Sequence, residues 1–392
     1  MATNQTAAQG NARQAPPPAA PFRVGTQNTT LTDGYTVTQT IPTTATQLTP
    51  YNPSANAFLK GIYIQANCTG TNSSATTAFN ADAPWNVFSQ ISFNDTQGKP
   101  LLLVNGYELM LINKFGGYGL TDPRANATFT QTTGDHSAGG SFEFVLYVPL
   151  ELVSRDGIGS LPNKNQASPF QLQLTVNTSA NIYSTAPDGG ASLVVTCLED
   201  GYWQPQAADA QGNPYSQNPP DVGATQYWLR NSYNAASGNN QIQLTGGLGF
   251  SLRNIIFENY SVSGTSRATG QTDWPDPAQL LYKGTNFKNM GKNVWDFLMC
   301  NWFGLTSTGT ASGAVTPTFD SANGLENGIF VLPFNIDFAE RPGAELRNGY
   351  LVTQQADQFA LIGSWSAACT LYELVNYVAS PDGNPNSLRA NR

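Results

Sequence analysis

The sequence predicts an all-β protein built from two like antiparallel sandwiches in tandem, each carrying one short helix. Three observations predict it. Short apolar runs separated by turn residues fill nearly the whole chain. The clearest of them alternate with period two, and the second half repeats landmarks of the first. At 392 residues, punctuated by 37 Gly and 25 Pro, the chain is too long for one ordinary core.

Residues 1–21 are mostly Ala, Gln, Asn and Pro, with Pro16-Pro17-Pro18 and no acid, and read as a flexible arm. A first sandwich is expected over 22–204. Its strand candidates are AFLKGIYIQANC (57–68), NVFSQISFND (86–95), GSFEFVLYVPLEL (140–152), PFQLQLTVN (169–177) and ASLVVTCLEDGYW (191–203). Phe170, Leu172, Leu174 and Val176 alternate with Gln171, Gln173 and Thr175, which predicts one buried face. NGYELMLINKFGGYG (105–119) lacks that alternation and ends in Gly116-Gly117, so it reads as a short helix with a glycine stop.

The polar, Pro-rich stretch 205–223 reads as a linker, with linker and crossover together expected over 205–240. A second sandwich is expected over 241–380. Its runs are QIQLTGGLGFSLRNIIFENY (241–260), GIFVLPFNIDF (328–338), QFALIGSWSAA (358–368) and TLYELVNYV (370–378). Residues 381–392 form a polar tail.

The duplication rests on three matches. YELMLIN (107–113) aligns with WDFLMCN (295–301), which pairs Tyr107 with Trp295 and Asn113 with Asn301 at an offset of 188. VLYVPLEL (145–152) aligns with IFVLPFNI (329–336), placing Pro149 over Pro333 at an offset of 184. QISFND (90–95) aligns with NIIFEN (254–259), Phe93 over Phe257 at an offset of 164, with 263–279 read as an insertion that explains the smaller offset. A proline cannot donate to a strand ladder, so the paired prolines predict a shared bend or strand end.

These residues resemble the double jelly-roll major capsid proteins of tailless icosahedral viruses, in particular the tectivirus-like phages with an internal membrane. The resemblance lies in SFEFVLYVPLELVSRDGIGSLPNKNQASPFQLQLTVN (141–177), in the paired helices, and in AFLKGIYIQANC followed by PWNVFSQISFND. It implies two eight-stranded jelly rolls and a homotrimer whose six sandwiches make a near-hexagonal tile of a virion shell. It also implies neighbouring trimers, minor capsid, vertex or cement proteins, and a membrane beneath the shell as possible partners. The family's N-terminal segment is often helical and faces a membrane, whereas the arm here is rich in Pro and Gly with Arg13 and Arg23 as its only nearby charges.

Composition agrees with a self-packing surface. Charged residues are 11 % of the chain, against roughly 25 % in an ordinary soluble domain, while mean hydropathy is only −0.29. Neutral amides and hydroxyls carry the surface, which lowers the desolvation cost of packing copies together. A net charge of −8 argues against a nucleic-acid-coating surface, which needs clustered cations. Cys68, Cys197, Cys300 and Cys369 match no metal or CxxC spacing and read as buried free thiols. No signal-peptide core and no membrane-spanning run is found, so synthesis in a host cytoplasm is expected.

No catalytic, cofactor-binding or metal-binding set emerges, so no enzyme is expected. The single histidine, His136, cannot supply a cupin-type metal site or a triad outside its own loop. The acid pairs Glu199-Asp200 and Glu151 with Asp156 read as solvated turn or edge acids, with glycosidase chemistry as the alternative. GGLGF (246–250) lacks the dinucleotide spacing, and SPDGNPN (380–386) lacks calcium-loop spacing. Asn-x-Ser/Thr triplets such as those at Asn67 and Asn126 follow from composition. The competing reading is a carbohydrate-binding or adhesive β-sandwich, in which Tyr202-Trp203 or Tyr227-Trp228 would stack on sugars. The favoured role for those aromatics is clamping the linker onto the sandwiches.

Overall fold

The computed structural model describes residues 18–380 and 383–384, apart from 56, 72–75, 119–121, 131–138, 153–155, 166, 222, 262–266, 268–269, 306–318, 321–323 and 337–344. The first sandwich contains β1 (Asn28–Thr40), β2 (Thr46–Gln47), β3 (Ala57–Gly70), β4 (Phe88–Asn94) and β5 (Pro100–Val104). Helix α1 (Gly106–Phe115) follows, then β6 (Phe142–Pro149), β7 (Gln171–Val176) and β8 (Ala191–Tyr202). One sheet runs β1-β8-β3-β6 and the other β2-β7-β4-β5, the jelly-roll order.

The second sandwich opens with β9 (Thr225–Ala235), β10 (Gly238–Gln243), β11 (Ser251–Ser261), β12 (Ala278–Tyr282) and β13 (Thr285–Met290). Helix α2 (Lys292–Phe303) precedes β14 (Ile329–Pro333), β15 (Phe359–Trp365) and β16 (Cys369–Ala379). Its sheets run β9-β16-β11-β14 and β10-β15-β12-β13. Adding eight to every strand number of the first roll gives the second. The helix sits in the same connection of each.

Local chemistry explains the main elements. In β7 the alternation holds: Leu172, Leu174 and Val176 are buried while Gln171, Gln173 and Thr175 stay partly exposed. α1 begins with a capping box, the Asn105 side chain accepting from Glu108 N at 2.8 Å and Glu108 accepting from Asn105 N at 2.7 Å, which satisfies two otherwise unpaired amides. α2 has no side-chain cap but ends at Gly304, whose φ of 60° suits a residue without Cβ. The second core is aromatic, with Trp274 stacked on Phe330 at 4.0 Å and edge-on to Trp295 at 5.6 Å.

The rolls share a sheet. β5 of the first pairs in parallel with β9 of the second, Leu102 opposite Trp228 and Leu103 opposite Leu229. The strands β2-β7-β4-β5-β9-β16-β11-β14 therefore form one continuous path.

The structure corrects parts of the sequence reading. All of β9 and the start of β10 lie within 205–240, the segment expected to be linker and crossover. β9 carries Gln226, Arg230, Asn231, Ser232 and Asn234 among its apolar residues, so it gave no clean apolar alternation. The Phe93/Phe257 match joins strands that do not correspond. Phe93 is on β4, paired with β7 and β5, whereas Phe257 is on β11, whose counterpart is β3. Two apolar strands looked alike by chance, and the smaller offset arises because β12 and β13 lie between β11 and α2.

Pro149 and Pro333 close β6 and β14, and their partners Gly61 and Asn254 lie on β3 and β11. Tyr107 and Trp295 are both buried near helix starts. Asn113 and Asn301 differ. Asn113 is buried, donating to Tyr147 O at 2.6 Å and accepting from Tyr147 N at 2.8 Å, whereas Asn301 is exposed.

The cysteines are all free thiols, Cys68, Cys197 and Cys369 buried and Cys300 partly so. Residues 1–17 of the arm, most of the tail and His136 lie outside the described residues. Just past the arm, Phe22 is 2 % exposed and packs edge-on to Phe58 and Tyr202 at 5.1 and 5.6 Å.

Candidate functional site: the seam between the rolls

Where α1 lies against the second roll, the described charges gather into buried clusters. Glu326, wholly buried, accepts from Arg124 Nε and Nη2 at 2.6 Å each, from Lys114 Nζ at 3.0 Å and from Tyr107 OH at 3.0 Å. Lys114 also donates to Gly324 O at 2.6 Å and pairs with Asp122 at 3.1 Å. Burial alone would raise the Glu326 pKa, but Arg124 and then Lys114 outweigh it and hold the carboxyl well below the usual range.

A second cluster centres on Arg253, fully buried in β11. Its Nε and Nη2 donate to the two oxygens of Glu345 at 2.8 Å each, and its Nη1 donates to Gly116 O at 2.8 Å and Asn376 Oδ1 at 3.0 Å. The guanidinium lies 4.8 Å from the Tyr118 ring centre. Tyr118 OH in turn accepts from Trp228 Nε1 at 2.7 Å and donates to Gln226 at 2.8 Å. Asn254 Nδ2 donates to Phe115 O at 2.7 Å, so the C-terminal end of α1 is held by β11.

A third cluster runs along the N-terminal half of α1. Arg267 pairs with Asp82, donates to Asn327 O at 2.9 Å and stacks 4.2 Å from the Tyr107 ring. Arg230 Nε lies 2.7 Å from Glu108 Oε1 without a hydrogen bond's alignment, over the Tyr372 ring at 3.8 Å. Beside them Glu258, wholly buried in β11, has no hydrogen-bond partner among the described residues on either carboxylate oxygen. Burial first, and the neighbouring Glu108 second, raise its pKa to about 8.

Only one placement of the two rolls pairs all these groups, and a slip would leave several charges buried and bare at several kcal/mol each. Together with the shared sheet it fixes one roll against the other.

The buried acids set a pH dependence. Glu258 at about 8, and Glu373, raised to about 7 by burial despite hydrogen bonds from Tyr233 and Asn231, hold protons in the fold that the unfolded chain releases near 4.5. Their stabilising contribution is complete below 4.5 and is lost as pH rises through 7 to 8. Glu326 works oppositely, its contribution present above 4.5 and lost as pH falls. Thermal melts are therefore expected to peak on the acid side of neutrality. Glu258→Gln should flatten the decline between pH 5 and 8, and an unchanged slope would refute the assignment.

Of the acids singled out from sequence, Asp156 is partly exposed, and the other three are not solvated. Glu199 accepts from Tyr51 OH at 3.1 Å, Asp200 pairs with Lys60 at 3.1 Å, and Glu151 accepts from Tyr202 OH at 2.5 Å. All three are 4–5 % exposed, because they close the end of the first sandwich against tyrosines and a lysine. Tyr202 and Trp228 are each 1 % exposed and present no ring to a sugar. Trp203 is 47 % exposed.

The seam residues were missed in the sequence, though a cue was there. Glu108 and Lys114 sit in YELMLINKF, and Arg253 and Glu258 in SLRNIIFENY. A charge inside an apolar run, in a chain so poor in charge, marks a buried pair.

No family model and no curated protein matches the chain by sequence. Solved structures match along nearly its whole length. The atomic structure of Sulfolobus Turreted Icosahedral Virus matches with TM-score 0.60 and 14 % identity, covering 93 % of this chain and 95 % of that one. The chain has the double jelly-roll fold. The PBCV-1 virus capsid model matches this double jelly roll with TM-score 0.55 at 11 % identity, over 90 % of this chain and 94 % of that one. The major capsid protein P2 of bacteriophage PM2 matches at 0.50 and 9 %, over 90 % and 97 %.

Proposed function

We propose that this double jelly roll is the major capsid protein of an icosahedral virus, assembling as pseudo-hexagonal trimers into the virion shell. The observation that carries the reading is the match over 90 % or more of the chain to an icosahedral virus structure, a virus capsid model and a phage major capsid protein. The matches include a Sulfolobus virus and PBCV-1 as well as a phage, so a bacteriophage source is not singled out. The role is mechanical: two rigid sandwiches locked at the seam present themselves to further copies. Minor capsid or vertex proteins and an underlying membrane belong to the same reading, as does a structural rather than enzymatic role.

Purified protein examined by size-exclusion with light scattering is expected at three times 41.9 kDa. Electron microscopy should show near-hexagonal particles. A monomer at high micromolar concentration, with no larger assembly, would sink the reading.

A further inference from the structure

One end of the first sandwich holds a lysine, an aspartate and a glutamate that the seam does not use. Lys60 sits at a bulge of β3: Gly61 pairs with Asp200 and Leu59 with Gly201, so Lys60 is an extra residue in the ladder with β8. A bulge re-aims a side chain, and here Lys60 Nζ comes to 3.1 Å from Asp200 Oδ2. On the other side of β3, just past β6, Glu151 N donates to Lys60 O at 2.9 Å. Three neighbouring strands of one sheet thus bring the three groups to one corner.

Tyrosines complete that corner. A Cβ on Gly61 would fall 2.2 Å from the Tyr147 hydroxyl, so only glycine leaves the ring its place. That hydroxyl donates to Asp200 Oδ2 at 3.2 Å. Tyr202 OH donates to Glu151 Oε1, which leaves Oε2 to carry a proton, and the Tyr202 ring lies 5.9 Å from Lys60 Nζ. The Lys60 side chain is 18 % exposed, enough to let a water escape. Burial raises the Glu151 pKa to about 7, against the hydrogen bond from Tyr202 and the charge of Lys60, while Asp200 raises it further. Its carboxyl therefore faces both partners and keeps a proton up to about neutral pH.

We propose that Lys60 and Asp200 condense to an amide, an isopeptide bond that joins β3 to β8 within the chain. Lys60 Nζ bonds to Asp200 Cγ, and the Cγ–Oδ2 bond breaks. Of the three protons on the ammonium, one passes directly to Oδ2 and one stays on the amide. The third goes to Glu151, which has given its own proton to the same oxygen. One water leaves, and no oxidant, reductant or co-reactant is consumed. Tyr147 hydrogen-bonds the departing oxygen. Free in water, an ammonium and a carboxylate have little tendency to condense. Held in contact by the fold they react as parts of one molecule, with an effective concentration of about 10⁵–10⁸ M when well oriented. The neutral amide also removes two charges from a largely buried corner, where keeping them costs desolvation.

Intact-mass measurement of the full chain reads the bond directly. The expected mass is one water below that of the 41.9 kDa sequence, and digestion should yield a branched peptide joining the segments around residues 60 and 200. Lys60→Arg keeps the charge but is expected at its full sequence mass, and should run behind the linked chain in denaturing electrophoresis. Glu151→Gln, folded by circular dichroism, should link about a hundredfold more slowly or not at all, the range of a lost proton-transfer group. Glu151→Asp should recover part of that rate. A folded unaltered chain still at full sequence mass after days near neutral pH overturns the proposal, whether or not the variants fold. A lost water that persists in Lys60→Arg places the bond elsewhere and overturns it too. Undiminished linkage in Glu151→Gln overturns the role given to Glu151.

Discussion

Glu326→Gln is expected to destabilise the folded chain by about 3–5 kcal/mol, the usual cost of stripping one partner from a buried ionic cluster. The amide keeps the side chain's volume, so the loss is electrostatic. Lys114, with a side chain 1 % exposed, and Arg124, 14 % exposed, would lose the carboxylate they share. Asp122 still faces Lys114 at 3.1 Å and limits the damage on that side. Denaturant titration of the purified protein measures it. In the double variant Lys114→Met/Glu326→Gln the cost should fall well short of the sum of the single variants, because the two residues act through one contact. A loss below about 1 kcal/mol, the range of exposed pairs, would show that the cluster is open to water.

Arg253→Met is expected to cost a similar amount, about 3–5 kcal/mol, for a different reason. The guanidinium makes four hydrogen bonds to three groups: two to Glu345, one to Gly116 O and one to Asn376. Without it the donors left to Glu345 among the described residues are the neutral Tyr350 OH and Asn335 Nδ2. Arg253→Lys should recover only part of the loss, since an ammonium cannot reproduce the planar two-pronged contact. Full recovery by lysine would mean that charge alone matters. The contact to Gly116 O ties β11 to the end of α1, so limited proteolysis should cut the Arg253→Met protein faster near residues 116–126.

How far the sequence carries can be judged from particular elements. β7 was legible because it lies over a core on one side and water on the other, so its side chains alternate. α1 was legible because it breaks that alternation and ends at Gly116-Gly117. β9 was not, since its first half meets a polar network of Gln226, Asn376 and Tyr118, while Arg230, Ser232 and Asn234 in its second half are exposed. β1, rich in threonine, and β13, with one buried residue in six, gave no apolar signal either. The Phe93/Phe257 match shows the opposite error: similar buried strands produce similar words without sharing a place in the fold.

The seam was the least legible part. Its partners lie far apart in sequence, Glu326 202 residues from Arg124 and Arg253 92 from Glu345. Residues such as Arg253 and Glu258 announced burial by sitting in apolar runs, but not what they would meet.

By itself the sequence determined the class of fold, the duplication marked by Pro149 and Pro333, and the two inserted helices. These follow from local periodicity and punctuation, which neighbours in the chain settle among themselves. Only the tertiary structure decided how the rolls are joined, because that depends on contacts hundreds of residues apart whose cost is the desolvation of charge. It also decided which of two like helices is covered and which is left open. α1 and α2 read as equals, and the parallel pairing of β5 with β9 makes them differ by placing a partner roll over one of them alone.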